Sequence, residues 1–163
     1  MIHNNDNMAE IPVHPLIQRL LNLPRSNWRP RRPGNPEALT SVEEKFGVEL
    51  PEDYRSILLH SDGGSIVGSS AQINLDSIDE IYGQDVEDLI PEKLPGMFVI
   101  GGDGCGNKYF YDPENKLGRG KWAVFLVEMS LLEFDHSAFL AASLNELVDR
   151  ALAGENLRKR LYE

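Results

Sequence analysis

Apolar side chains recur along this chain at helical spacing near both ends and at strand spacing in the middle. Pro15 suits a first helical position, and Leu16, Ile17, Leu20, Leu21 and Leu23 form a stripe that Pro24 ends. Asn35 can cap and Pro36 can open a second helix, in which Leu39, Val42 and Phe46 share a face until Gly47 stops it at the C′ position. Pro51 opens a third helix in the same manner. Tyr54, Ile57 and Leu58 are its inward face, and Ser61, Asp62, Gly63 and Gly64 close it with residues that tolerate left-handed backbone. A last helix is predicted from Ser143, which stands at capping-box distance from Glu146, through Leu144, Leu147, Val148, Ala151 and Leu152 to Gly154. The charged residues 155–163 either fray or add a turn.

Between the helical stripes, residues 71–75 read as a short strand and residues 77–82 as a helical turn. Residues 97–100, 108–112 and 122–127 then predict an antiparallel meander with loops at 101–107 and 113–120. The loop at 101–107 is the organising feature, because its four glycines offer the positive φ angles that a reversal around Asp103 needs. Gly101, Gly102, Asp103, Gly104 and Gly106 are therefore expected to form a structural turn. Helical hairpins with one apolar face must lie on a sheet, so the predicted fold class is α+β, a single domain with helices packed on an antiparallel sheet. The expected division is an N-terminal arm over residues 1–36, with a short helix and a basic, proline-rich linker, and a folded domain over residues 37–163. In the linker, Trp28 lies among Arg25, Arg29, Arg31 and Arg32, and its prolines oppose regular structure. Such a segment is either a nucleic-acid arm or a strap whose tryptophan packs on the domain while its arginines pair with an acidic body.

Composition adds limits. With 163 residues and 41% apolar side chains, one sizeable core can be buried. The longest apolar run, residues 122–127, is far short of the roughly 20 residues of a membrane helix. The polar start and the single Cys105 predict a cytoplasmic protein with no disulfide framework. Charge changes the picture most. The formal net charge is −10, with a balance of +3 over residues 1–36 and −13 over the remainder. Such a field repels nucleic acid and anionic membrane and draws in a basic protein, although acidity also serves solubility alone. Asp76, Asp79, Glu80, Asp85, Glu87, Asp88 and Glu92 place seven carboxylates in seventeen residues with no base before Lys93, which keeps a local field of one sign. Tyr82, Tyr109 and Tyr111 are candidate aromatic anchors for an interface there, or else core residues.

Catalytic and metal readings find little. His3, His14, His60 and His136 are scattered without i, i+4 pairing, and Cys105 has no cysteine partner, so no metal site is predicted. The glycine block matches neither a dinucleotide nor a phosphate loop, and as a calcium loop it fails at Cys105 and Lys108. Cys105 paired with a distant histidine would be a nucleophile; a small residue in a tight turn is the plainer reading.

Five blocks taken in order resemble a known family. They are Leu50-Pro51-Glu52-Asp53-Tyr54, Asp62-Gly63-Gly64, residues 100–107, Tyr109-Phe110-Tyr111-Asp112 and residues 142–147. Together they are similar to the SUKH superfamily, which includes the fungal cell-wall assembly regulator domain and many bacterial immunity proteins, over residues 37 to about 152. The resemblance implies one α+β domain with a bent antiparallel sheet and no established catalytic residues; with the motifs above absent, no cofactor is expected. It also implies, from the bacterial members, a role in binding and neutralising a toxin. Many members carry a tryptophan and acidic residues after the last meander strand, where this chain has residues 128–136 without tryptophan. The expected function is thus a non-enzymatic protein-binding domain, an immunity protein that neutralises a basic, nuclease-type toxin without binding nucleic acid or membrane itself. Its expected partner-binding residues are Asp79, Glu80, Tyr82, Asp85, Glu87 and Asp88. The alternatives are a regulatory scaffold like the fungal members and a hydrolase using the glycine loop.

Overall fold

The computed structural model describes residues 13–163. The element order is α1 (Pro15–Leu21), β1 (Trp28–Pro30), α2 (Pro36–Phe46), α3 (Glu52–His60), β2 (Gly64–Val67), β3 (Gln72–Leu75), α4 (Ile78–Tyr82), α5 (Gln84–Glu87), α6 (Ile90–Lys93), β4 (Phe98–Gly102), β5 (Asn107–Asp112), β6 (Ala123–Glu128), β7 (Ser137–Ala141) and α7 (Leu144–Leu152). Short 3-10 turns cover Phe134–His136 and Leu157–Tyr162. The seven strands pair antiparallel in chain order, an open meander from β1 to β7, so the fold class is α+β.

Local chemistry sets the helix ends. Asn35 Oδ1 accepts from the N–H groups of Glu37 and Ala38 at 2.8 and 3.2 Å, and Gly47 ends α2 in the left-handed conformation at φ 62°. His14 Nδ1 caps α1 by accepting from Leu16 N–H at 3.1 Å, a role the sequence pattern does not reveal. Ser143 Oγ accepts from Glu146 N–H at 3.1 Å, but the Glu146 carboxylate reaches back to Ala142 N–H at 2.8 Å, one residue earlier than a capping box requires.

Side chains alternate across the sheet with a period of two and feed two cores. Phe98, Ile100, Tyr109, Tyr111, Val124 and Leu126 point into the larger core, covered by α1, α2, α3 and α7. Val99, Phe110, Ala123, Phe125 and Val127 point to the other face, where Ile90 and Leu94 cover them. Strands β4 to β6 are therefore apolar on both faces, which is why they read as near-continuous hydrophobic runs.

Residues 24–36 differ from a structureless linker. Trp28–Pro30 pairs with Gly64–Ile66 as the edge strand of the sheet, where a proline interrupts no ladder. Trp28 is buried with Leu16 and Leu20 in the larger core, and Ser61 Oγ accepts from Arg31 N–H at 2.7 Å. Two further strands are absent from the sequence prediction. β2 begins at a glycine pair that also closes α3, and β7 is five residues of small and mixed character.

Candidate functional site

The acidic segment is an excursion between β3 and β4 made of three short helices, fixed at the base by polar caps and apolar anchors. Ser77 and Glu80 form a full capping box at α4, and Asp62 Oδ1 accepts from Ile78 N–H at 2.7 Å. Ile78, Ile81 and Ile90 are buried. Gln84, only 4% exposed, accepts from Val99 N–H at 2.8 Å and donates to the Ile81 carbonyl at 3.0 Å, which ties α5 to the sheet. Asp88 Oδ1 accepts from Ile90 N–H at 2.9 Å and starts α6.

This scaffold leaves Asp79, Glu80, Tyr82, Asp85 and Glu87 at the surface and half-buries Asp88. In sequence the run has no base of its own before Lys93, but the fold supplies three from elsewhere. Arg31 approaches Glu80 at 3.8 Å, Lys45 meets Asp85 at 2.8 Å, and Lys108 meets Asp88 at 3.4 Å. Lys45 Nζ also donates to the Tyr82 carbonyl at 2.6 Å and sits 4.1 Å from the Tyr82 ring centre. Its hydrogen bond holds the Asp85 carboxyl below the usual carboxylate range. Asp79, Glu87 and Glu92 make no ion pair among the described residues. Glu80 and Asp88 thus serve the local backbone as well as the surface, a role that their charge alone does not disclose.

Asp76, Glu80, Gln84, Glu87, Asp88 and Lys108 line a small cavity of about 130 Å³ at the foot of the excursion. Burial is the main reason the Asp76 carboxyl rises from 3.8 to about 6; the Lys108 ammonium opposes the rise and the carboxylates of Glu80 and Asp88 add to it. On the outer side, Tyr82, Val86 and Leu89 are 44%, 82% and 51% exposed. Val86 and Leu89 fall in no element that the sequence predicts, between the helical turn at 77–82 and the strand at 97–100. Tyr109 and Tyr111, by contrast, are core residues with exposures of 1% and 0%.

The glycine block divides between strand and turn. Gly101 and Gly102 end β4, and Asp103 N–H donates to the Asn107 carbonyl at 3.1 Å to close the hairpin. A side chain at Gly101 would overlap the carbonyl oxygen of Asn74, so the neighbouring strand passes too close for any other residue. Gly104 and Gly106 have φ of 76° and 87°. The buried Asp103 carboxylate organises the turn by accepting from the N–H groups of Cys105 and Asn107 at 2.8 and 3.2 Å and from Asn107 Nδ2 at 2.6 Å. A cavity of about 290 Å³ beside it is bounded by Cys105, Tyr109, Gln72 and Arg158. Asp103 is engaged as a backbone clamp, and Cys105 is a free, exposed thiol. Among the described residues no three His, Cys, Asp or Glu side chains gather as metal ligands, and no helix is long and apolar enough to cross a membrane.

An open seven-stranded antiparallel meander, with its larger helices on one face and an acidic, short-helical excursion between β3 and β4, defines the α+β domain. The chain belongs to the SMI1 / KNR4 family (SUKH-1), whose model matches residues 33–150. The match takes in the end of the strap and stops within α7. No curated protein matches the chain.

Proposed function

We propose that the protein is a binding module of the immunity type, which neutralises a basic, nuclease-type toxin by direct contact through residues 76–93 and has no catalytic step of its own. The reading rests on one observation: the excursion presents exposed carboxylates at Asp79, Glu80, Asp85 and Glu87 around exposed apolar side chains at Tyr82, Val86 and Leu89. Carboxylates at the rim steer a basic partner into encounter, and desolvated aromatic and aliphatic groups hold it once docked. Family membership supports a binding role, since the bacterial SUKH proteins that the chain resembles neutralise toxins by binding them.

The test is association kinetics against the purified product of the reading frame adjacent to the gene. Asp79→Asn, Glu87→Gln and Glu92→Gln together remove carboxylates that have no ion pair among the described residues, so the fold should be unaffected. The association rate of the wild type should fall steeply between about 20 and about 300 mM salt, and the triple variant should lose most of that slope. Val86→Ser with Leu89→Ser should chiefly speed dissociation. Equal rates and equal salt slopes for wild type and triple variant would remove the excursion from the interface.

A further inference from the structure

The strap at residues 24–36 holds Arg25, Arg29, Arg31 and Arg32 and no acidic residue. Only Arg31 comes within ion-pair distance of a carboxylate, that of Glu80 at 3.8 Å. Arg25, Arg29 and Arg32 are exposed and have no ion pair among the described residues. Their backbone is nonetheless fixed, because β1 pairs with β2, Trp28 is buried in the larger core and Arg31 N–H donates to Ser61 Oγ. The outer edge of β1 offers little to a further strand, since Trp28 N–H is taken by the Pro24 carbonyl at 3.1 Å and Pro30 has no N–H. What the strap presents is therefore charge. It ends against the foot of the acidic excursion: the Arg32 carbonyl accepts from Asp62 N–H at 2.7 Å, Asp62 Oδ1 accepts from Ile78 N–H at 2.7 Å, and a side chain at Gly34 would overlap that of Ile78. Three exposed arginines without ion pairs thus adjoin a segment with three exposed carboxylates in the same condition, Asp79, Glu87 and Glu92.

We propose that the strap docks a second copy of this chain, related by a two-fold axis beside Arg31 and Glu80, so that the strap of each copy lies on the acidic excursion of the other. Adjoining patches of opposite charge are self-complementary under that rotation, and the closed symmetry stops assembly at two chains. The guanidinium fork suits carboxylates, and the exposed rings of Pro30 and Pro33 offer an apolar surface to Val86 and Leu89. The net charge of −10 on each chain opposes the pairing. At about 0.15 M salt, however, the Debye length is about 8 Å, so the repulsion between whole chains is screened while groups touching across the interface still attract. A nucleic acid fits the strap less well. Its one aromatic, Trp28, is buried and cannot stack on a base, and a phosphate chain running past Arg31 would meet the excursion.

Sedimentation equilibrium of the full chain, with no other protein present, tests the pairing. At about 150 mM salt the mass of the wild type should rise toward two chains as concentration increases to about 1 mM, and the association constant should fall at least about tenfold at about 1 M salt, where the Debye length is about 3 Å. One variant, Arg25→Glu with Arg29→Glu and Arg32→Glu, sets like charge against like, and so does a second, Asp79→Lys with Glu87→Lys and Glu92→Lys. Each alone should lose self-association. Mixed in equal amounts they should form a heterodimer at least as tight as the wild-type dimer, because every patch again faces its opposite, and that recovery also shows that both variants fold. The proposal is overturned if the wild type stays a single chain to about 1 mM, if either variant self-associates like the wild type, or if the mixture associates no more than its components. A wild type that stays a single chain but binds single-stranded oligothymidylate, with binding lost in the arginine variant, would overturn it in favour of nucleic acid.

Discussion

Asp76 holds back the stability of the folded chain above pH 6, and its removal should show how much. Its carboxyl is raised from 3.8 to about 6, mainly because burial at the foot of the excursion disfavours the charged form. The folded state therefore binds a proton that the unfolded state has already released between pH 4 and 6. In that window stability falls as pH rises, and above about pH 6 the full penalty is present. A rise from 3.8 to about 6 corresponds to an upper figure of about 3 kcal/mol at neutral pH, at about 1.4 kcal/mol per pH unit. Partial exposure of the site lets water screen the charge, so the working range is about 1 to 3 kcal/mol. Asp76→Asn keeps the shape and deletes the charge. It should raise the melting temperature at pH 7.5 by roughly 3 to 10 °C for a chain of this length, and the gain should shrink to a fraction as pH falls to about 4. Differential scanning calorimetry of wild type and variant across that range is the assay. A gain that is absent at pH 7.5, or one that stays constant down to pH 4, would refute the argument, since only a titrating, desolvated charge produces a pH-dependent difference of this sign.

Two further outcomes follow from the hairpin and its neighbours. Gly104→Val and Gly106→Val should each destabilise by about 1 kcal/mol or more, because a β-branched residue is strained at the positive φ found there, and a chemical melt showing no loss in either variant would contradict it. Cys105→Ala and His136→Ala should leave biological activity intact, given an exposed thiol and an exposed imidazole whose Nε2 lies 3.5 Å from the Glu133 carboxylate, and loss of activity in a variant with wild-type circular dichroism would restore a catalytic reading.

α1, α2, α3 and α7 were legible because their signals are local, whereas the four-residue α5 and α6 are too short to show a periodic stripe. Asn35, Pro36 and Gly47 mark α2 by cap, first turn and stop, and Ser143 with Leu144, Leu147, Val148 and Ala151 marks α7, each within a few residues. The β4–β6 meander was legible because its strands are buried on both faces and so are apolar throughout. β1, β2 and β7 were not, because what makes them strands is a neighbour distant in sequence. Trp28–Pro30 is extended because it lies against Gly64–Ile66, and neither segment has strand-like composition alone. The acidic run was legible as composition, but its electrostatics were not, since Arg31, Lys45 and Lys108 reach it only through the fold.

The three internal cations change what the acidic excursion can do. With Glu80, Asp85 and Asp88 each facing a base, the outward charge comes chiefly from Asp79, Glu87 and Glu92, and it is smaller than the formal balance of −13 over residues 37–163 implies. A surface of that kind is too weakly charged to hold a partner by attraction alone, because exposed ion pairs contribute only about 0 to 1 kcal/mol each. Tyr82, Val86 and Leu89 stand among these carboxylates, and burying them contributes more, roughly 1.5 to 3 kcal/mol for a Val or Leu side chain taken fully out of water. Lys45 holds Asp85 and the Tyr82 carbonyl together, and a segment already fixed in this way would cost less to order on docking. On this reading the carboxylates set how fast a basic partner arrives, and the apolar side chains set how long it stays.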